Sequence, residues 1–282
     1  MNKRVLAVIM GVAAVALIAL NVFLMFTLFS PKASDAVVPA TTANNVETKA
    51  NEPEAPKYPY IAGLDIPVLM YHEVNDQGIT DDANNIPVEN FEKHLQYFRD
   101  NGYTTITMKQ LDEYLNNKVG IPEKSVVLTF DDGLYSMKTL VLPLLKKYDM
   151  RALTFVIGEY ADERKPGHLN PEEVQELKES GYVEVASHSY GLHKAGSDGQ
   201  GLITTLDRDG IIEDMKHMQD MLGTEYFCYP FGHYNDEAES AIKEAGYHLA
   251  FTVEHGIVNE SMDYFALPRM RVSSSMEIPP VD

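Results

Sequence analysis

The chain has 282 residues, of which 45% are hydrophobic, and it carries a formal net charge of −19. This charge disfavours nucleic acid as a partner, because phosphate binding draws on basic surface. An acidic surface instead tolerates a cationic polymer or serves only to keep a domain soluble. The single cysteine, Cys228, excludes an internal disulfide, so the folded part of the chain must be stabilised by its core.

Residues 1–30 predict a membrane anchor. Lys3 and Arg4 precede an uncharged run from Val5 to Ser30. A membrane-spanning helix needs about 20 apolar residues, whereas the apolar core of a cleavable signal is about 7–15 residues long. The run therefore favours an uncleaved single-pass transmembrane helix, with a cleaved long signal peptide as the alternative. Basic residues before the span place the N-terminus in the cytoplasm and the rest of the chain outside the cell.

Residues 31–57 predict a disordered linker. They are rich in Ala, Pro, Thr, Asn and Glu and show neither helical nor strand periodicity. Such a segment buries too little apolar surface to offset the entropy of ordering it. Residues 58–282 remain as one large domain, held away from the membrane.

Short apolar runs alternate with amphipathic helical segments through this domain. The strand candidates are residues 67–72, 104–107, 125–130, 152–157, 183–188, 225–230, 249–253 and 266–272. The clearest helix candidates are residues 88–102, 108–118, 136–149, 170–181, 210–223 and 235–247. Repeated strand–helix alternation predicts an α/β fold with a parallel sheet, and about eight units indicate a barrel related to the TIM type.

Polar residues stand at the ends of four predicted strands. His72 ends the first, Asp131 and Asp132 follow the third, His188 ends the fifth, and "YPFG" (229–232) ends the sixth. Catalytic groups of parallel barrels gather at the carboxyl ends of the strands. A turn that merely stops a strand also explains an isolated "DDG", but polar groups at four strand ends favour metal or proton chemistry.

Two histidines and a carboxylate suggest a catalytic metal centre. His188 and His193 are five positions apart, so they converge only if a loop curls between them, and Gly191 permits such a curl. With one aspartate they form a ligand set that leaves positions open for water and substrate, and Zn²⁺ would fit it. For His188 alone, a hydrogen-bonded core histidine is the alternative interpretation.

The remaining groups suit amide hydrolysis. If Asp132 binds the metal, Asp131 is free to accept a proton from the attacking water as general base. His72 is the candidate general acid for the leaving amine, with a polar residue capping a buried strand as the alternative.

Three motifs in this order resemble the NodB-homology polysaccharide deacetylases of carbohydrate esterase family four. They are "TFDDG", the histidine pair in "SHSYGLH", and "YPFG", and the resemblance covers roughly residues 65–272. It implies a distorted (β/α) barrel of the polysaccharide deacetylase type. It also implies that Asp131 is the catalytic base and that Asp132, His188 and His193 hold the metal.

The third motif implies substrate contacts. In the family, the backbone N–H of its aromatic residue helps to bind the oxyanion, which corresponds to Phe231, in a turn fixed by Pro230 and Gly232. Tyr190 and Tyr229 are candidates for stacking against a sugar, although aromatic residues at strand ends as often serve in packing.

The sequence departs from the commoner family pattern in three places. The histidines are five rather than four positions apart, Cys228 stands where an arginine usually orients the base, and no histidine after His255 supplies the general acid. All three departures resemble the branch that deacetylates poly-N-acetylglucosamine, in which the motif order is circularly permuted. In that branch an early segment brings the acid, here His72 in "LMYHEV".

A late basic segment offers a replacement for the missing arginine. "LPRMRV", in the last predicted strand, contains Arg269 and Arg271. We expect one of the two to lie beside Asp131.

These features predict a membrane-tethered, metal-dependent N-deacetylase. Its expected substrate is an extracellular polysaccharide containing N-acetylglucosamine, with poly-β-1,6-N-acetylglucosamine favoured. Peptidoglycan and chitin-type oligomers are the alternatives within the same chemistry. A catalytically silent glycan-binding module is an alternative of another class, although such a module has no need of Asp131. The residues alone do not separate N-deacetylation from O-deacetylation.

Overall fold

The structure is a computed structural model that describes residues 57–80 and 84–272. The predicted anchor at 1–30, and the predicted linker up to residue 56, lie outside the described residues. Within the described ranges, no helix has both the length and the apolar character needed to cross a membrane. The anchor and the linker therefore stay predictions.

Most strands of the described chain belong to one parallel barrel. The strands are β1 (Val68–Tyr71), β2 (Glu73–Asn75), β3 (Asn85–Pro87), β4 (Thr104–Thr105), β5 (Ser125–Phe130), β6 (Ala152–Val156), β7 (Val183–Ser187), β8 (Tyr226–Cys228), β9 (Leu249–His255) and β10 (Leu267–Arg271). Seven of them pair in the order β1-β10-β9-β8-β7-β6-β5, and β5 pairs back to β1 to close the ring. β2 and β3 form a separate two-stranded sheet.

Helices connect the barrel strands. They are α1 (Val88–Asp100), α2 (Met108–Asn117), α3 (Leu142–Tyr148), α4 (Gly158–Asp162), α5 (Pro171–Glu179), α6 (Arg208–Leu222) and α7 (Asp236–Glu244), with a π-helical segment at Met137–Val141 before α3. Polar side chains cap several N-termini: Thr107 and Asn170 form capping boxes, and Asp207 and Asn235 each accept one backbone N–H. The six predicted helices are confirmed. The short elements α4, β2 and β3 were not predicted from the sequence pattern.

The predicted strand at 104–107 is confirmed only in part, because β4 lies outside the closed ring, and the barrel has seven strands rather than eight. β4 is two residues long and pairs only with the start of β5. The helix that follows it, α2, buries Leu111, Tyr114 and Leu115 in the apolar cluster that fills the barrel. Asp112 on the same helix contacts His248, directly before β9. α2 therefore covers the N-terminal end of the barrel.

Alternation along the strands places the functional side chains. On β5 and β10, Val127 and Leu267 belong to the apolar cluster inside the barrel, whereas Leu128 packs in the cluster on the helix side. Because side chains alternate, Asp131 and Arg269 continue the inward-facing series. The interior thus changes from apolar to polar toward the carboxyl ends of the strands.

Candidate active site

Arg269 and Asp131 form a buried, bidentate ion pair inside the barrel. The guanidinium Nη1 and Nη2 lie 2.7 and 2.8 Å from Asp131 Oδ1 and Oδ2. Arg269 is 0% exposed and Asp131 is 3% exposed. The arginine also donates from Nη1 to Thr129 Oγ1 at 3.1 Å and from Nε to the Thr252 carbonyl at 3.0 Å. Buried charges are tolerated when they are paired and hydrogen-bonded, and this guanidinium meets both conditions.

The ion pair sets the charge of Asp131. Burial alone would raise the pKa of this carboxyl, but the Arg269 guanidinium more than offsets burial and holds the pKa well below its usual range. Asp131 is therefore ionised at neutral pH. Its Oδ2 also lies 3.8 Å from His72 Nε2, so this oxygen links the buried arginine to the carboxyl edge of the barrel.

The two candidate arginines have different surroundings. Arg269 lies beside Asp131, whereas Arg271 donates to Asn84 Oδ1 at 2.6 Å in an exposed contact. Cys228 is buried, and its Sγ lies 3.0 Å from Arg269 Nη2. A small thiol at this position leaves space in the barrel, and the guanidinium from β10 fills it.

Asp132, His188 and His193 converge at the same edge. Asp132 Oδ1 lies 3.4 Å from Nε2 of each histidine. Two ligands held tetrahedrally on a zinc ion at its usual bond lengths lie roughly 3.3 Å apart. The spacing therefore matches what a shared divalent ion requires. Asp132 has φ 73, a left-handed conformation that directs its carboxylate away from the path of its neighbour Asp131.

The two histidines differ in protonation. His188 Nδ1 lies 2.8 Å from the Cys228 carbonyl, which can only accept, so Nδ1 carries a proton and Nε2 is the nitrogen that faces Asp132. Burial would lower the pKa of His188, but the neighbouring Cys228 and Asp132 outweigh burial and raise the pKa well above its ordinary value, so Nε2 must release a proton when it binds an ion. Burial and the neighbouring His188 lower the pKa of His193 to about 4, so its ring is neutral at neutral pH. Burial would raise the pKa of Asp132, but His188 offsets it and the pKa lies below the ordinary value.

Two other clusters contain metal-binding residue types but fit an ion less well. Asp131, His188 and Cys228 lie close together, yet Arg269 already occupies both oxygens of Asp131, and burial raises the pKa of the thiol. Asp112, Glu225 and His248 form the second cluster. There His248 Nδ1 is 2.8 Å from Asp112 Oδ2, a direct hydrogen bond that raises the pKa of the imidazole.

His72 lies beside the aspartates with one unsatisfied nitrogen. Burial lowers the pKa of its ring, although the nearby carboxylates of Asp131 and Asp132 oppose this shift. Its Nδ1 is buried and has no hydrogen-bond partner among the described residues. The ring is therefore neutral at neutral pH, and one of its two nitrogens can accept a proton.

The "YPFG" segment forms a tight turn at the end of β8. Phe231 has φ 60 and Gly232 has φ 73. A Cβ on Gly232 would lie 2.4 Å from Val253, so only glycine fits there. Pro230 is buried, whereas Phe231 is 44% exposed and its ring centroid lies 4.4 Å from that of His193. The turn thus brings Phe231 against the second histidine.

Tyr229 was a candidate for sugar stacking, and the structure contradicts it. The ring is 0% exposed, it stacks on Tyr234, and its hydroxyl donates to the Phe265 carbonyl at 3.0 Å. Tyr190, the other candidate, stacks on His217 at a centroid distance of 3.9 Å. Its hydroxyl donates to Asp162 Oδ2 on α4 at 3.2 Å, so its contacts are with α4 and α6 rather than with the residues of the metal triad.

The curl between the histidines also differs from the prediction. The residue in the left-handed conformation is Ser189, with φ 68, and Gly191 is not among the residues with positive φ. Residue-type reasoning favoured glycine because serine seldom adopts this conformation. Thr129 and Thr252, which hold Arg269, were also missed, since they carry no signal apart from lying in strands.

Comparisons with known proteins agree with this geometry. The polysaccharide deacetylase family profile matches residues 118–250, which include the aspartate pair and both histidines. YxkH of Bacillus subtilis, assigned by name to the polysaccharide deacetylases, is 32% identical over 75% of this chain and 72% of its own length. A Staphylococcus epidermidis protein named poly-β-1,6-N-acetyl-D-glucosamine N-deacetylase is 25% identical over 72% of this chain and 70% of its own. The solved structure of IcaB from Ammonifex degensii has a TM-score of 0.66 and 27% identity, covering 75% of this chain and 93% of that one.

Replacing Arg269 tests the buried ion pair. Arg269→Met leaves an unpaired carboxylate in the barrel and should lower the free energy of unfolding by about 3–5 kcal/mol at pH 7. This loss should shrink below about pH 4. Without the arginine, the pKa of Asp131 no longer lies below its unfolded value, so the carboxyl becomes protonated there and no unpaired charge remains in the barrel. Urea denaturation across this pH range measures it. Arg271→Met is the matched control and should change stability by less than about 0.5 kcal/mol. Equal losses in the two variants would contradict the assignment.

Proposed function

Since this chain belongs to the polysaccharide deacetylase family, we propose that it is a metal-dependent N-deacetylase of N-acetylglucosamine residues in an extracellular polysaccharide. The observation that carries the proposal is that two adjacent carboxylates have different partners. Asp131 is paired with a buried arginine, and Asp132 faces two histidines. Adjacent acids with such different partners suit one proton acceptor and one metal ligand.

We assign Asp132, His188 and His193 as the ligands of one divalent ion, with Zn²⁺ as the best fit. Two imidazoles and one carboxylate are a common catalytic set for this ion, and the ligand spacing of 3.4 Å suits it. The ion, when bound, supplies a Lewis acid for the acetyl group and for the attacking water.

Asp131 serves as the general base of this reaction. Its carboxylate is ionised, and Arg269 fixes the direction of both oxygens. Asp131 takes one proton from the water whose oxygen adds to the acetyl carbonyl carbon. The low pKa that the arginine imposes makes Asp131 a weak base, so it passes this proton on readily.

His72 serves as the general acid and receives its proton during the reaction. Its lowered pKa leaves the ring neutral before substrate binds. The proton that it gives to the leaving nitrogen therefore comes from water by way of Asp131, whose Oδ2 is 3.8 Å from His72 Nε2. The C–N bond then breaks, the sugar leaves as an amine, and acetate remains.

The backbone N–H of Phe231 is the proposed donor to the oxyanion. The turn of Pro230 and Gly232 holds this backbone beside His193. A donor fixed in the turn needs no reorganisation when negative charge develops on the acetyl oxygen. The exposed ring of Phe231 is available to stack against the sugar. Tyr229 and Tyr190 cannot do so in the contacts described.

Poly-β-1,6-N-acetylglucosamine is the substrate we favour. Its support is the name of the Staphylococcus epidermidis relative together with the early position of His72 in the chain. Residues 1–30 as an anchor and 31–57 as a linker would hold the domain outside the cell, close to polymer that passes the surface. Partial deacetylation would make that neutral polymer cationic, which an acidic protein surface tolerates.

Acetate release from defined oligomers tests the proposed function. We expect a higher kcat/KM on β-1,6-linked than on β-1,4-linked N-acetylglucosamine oligomers of equal length, and the lowest value on muropeptides. A chelator should abolish the activity and added Zn²⁺ should restore it. A preference for muropeptides or β-1,4 oligomers would overturn the polymer assignment, whereas activity that survives complete metal removal would overturn the metal assignment.

Removing His72 tests the general acid. His72→Ala should slow amide substrates by about 10²–10⁴-fold but aryl acetates much less, because an aryl oxide leaves without a proton. His255→Ala, an exposed histidine at the end of β9, is the control and should leave both rates unchanged. Steady-state kinetics on both substrates provide the measurement. Equal losses on amide and ester would indicate a structural role for His72.

A further inference from the structure

The second histidine of the triad lies on an irregular loop rather than at a strand end. β7 ends at Ser187, and the chain then passes through Ser189, with φ 68, before it reaches His193. No strand ladder fixes these residues, so their backbone groups must find other partners. The position of His193 therefore depends on what holds this loop.

A single carboxylate on α6 binds the middle of the loop. Asp214 Oδ1 accepts the N–H of Tyr190 at 2.7 Å, and its Oδ2 accepts the N–H of Gly191 at 2.8 Å. Both oxygens of one side chain thus satisfy two consecutive backbone donors. Hydrogen bonds to a charged acceptor are stronger than neutral ones, so this contact is a firm attachment.

The same face of α6 makes two further contacts with the loop. Leu192 packs in a buried cluster with Ile211 and Met215. The ring of Tyr190 stacks on His217, one turn after Asp214. From the opposite side, backbone N–H groups at the start of α4 donate to the carbonyls of Ser189 and Tyr190 at 3.0 and 2.9 Å. The loop is therefore clamped between α4 and α6.

We propose that Asp214 is a positioning residue for the metal centre, acting through the loop to hold His193 Nε2 opposite Asp132 and His188. The inference rests on the proposed metal site and adds a residue outside the ligand set and outside the three sequence motifs. Groups that orient a ligand typically contribute 10–100-fold to metal affinity. Asp214 does so through two backbone bonds rather than by touching the imidazole.

Asparagine at position 214 separates this role from simple packing. Asp214→Asn keeps the shape of the side chain, but it offers one acceptor to two N–H donors and places an NH₂ against the second. The loop should loosen while the helix stays folded. Asp220→Asn, an exposed residue on the same helix, is the matched control, and His193→Ala is the reference for loss of the ligand itself.

The measurement is the Zn²⁺ dissociation constant of the full chain, by competition with a chromogenic chelator after metal removal. We expect Asp214→Asn to raise this constant by about 10-fold or more and Asp214→Ala by up to about 100-fold, with Asp220→Asn unchanged. Circular dichroism gives the folded fraction, and a merely structural role would leave the affinity of that fraction unaltered.

The controls separate the two levels of the proposal. If His193→Ala weakens Zn²⁺ binding and Asp214→Asn does not, the positioning role is overturned and the metal site stands. If wild type and His193→Ala have the same affinity, the metal assignment fails and the positioning role fails with it.

Discussion

The ion pair between Arg269 and Asp131 is the constraint on which the site depends. A charge inside a barrel requires a partner and a full set of hydrogen bonds, and this guanidinium obtains them from Asp131, Thr129 and the Thr252 carbonyl. The pairing of β9 with β10 is irregular at this point, since Leu267 and Arg269 oppose Phe251 and His255. Such irregularities re-aim side chains and backbone groups near active sites. The barrel thus gives up regular strand pairing where it accommodates the arginine.

This ion pair gives two neighbouring aspartates different surroundings. Asp131 continues the inward-facing series of β5 and is held by two hydrogen bonds from Arg269. Asp132 leaves the strand with φ 73 and faces His188 and His193. Both carboxyls are ionised at neutral pH, but the first owes its low pKa to an arginine and the second to a histidine. Two identical residue types thereby acquire different chemical roles from their partners.

Residue patterns predicted those features that depend on local sequence. The parallel barrel, the six longer helices and the convergence of His72, Asp131, Asp132 and His188 follow from strand–helix alternation and from residues at strand ends. The prediction of a full barrel strand held only for the first two residues of 104–107, because an apolar strand pattern does not show whether a run will pair along its full length. β4 pairs over two residues, and α2 covers the barrel end instead.

Long-range partners could not be read from the chain. Arg269 and Arg271 are two residues apart on β10 and share one face, so the choice between them depends on which one lies level with Asp131 in the barrel, and that register is set by pairing with β1 and β9. Tyr229 resembled a ligand-binding aromatic, yet the cluster with Tyr234 and Phe227 buries it. Asp214 lies on a helix remote in sequence from the histidine motif and carries no local signal of its contact with the loop.

Metal content and turnover of Asp131→Asn, compared with Asp132→Asn, test the central claim most directly. If Arg269 holds Asp131 as the base while Asp132 holds the metal, Asp131→Asn should retain one divalent ion per chain and lose at least about 10²-fold in turnover. Asp132→Asn should lose the ion as well as the activity. Loss of metal in Asp131→Asn with retention in Asp132→Asn would contradict the division of roles between the two aspartates.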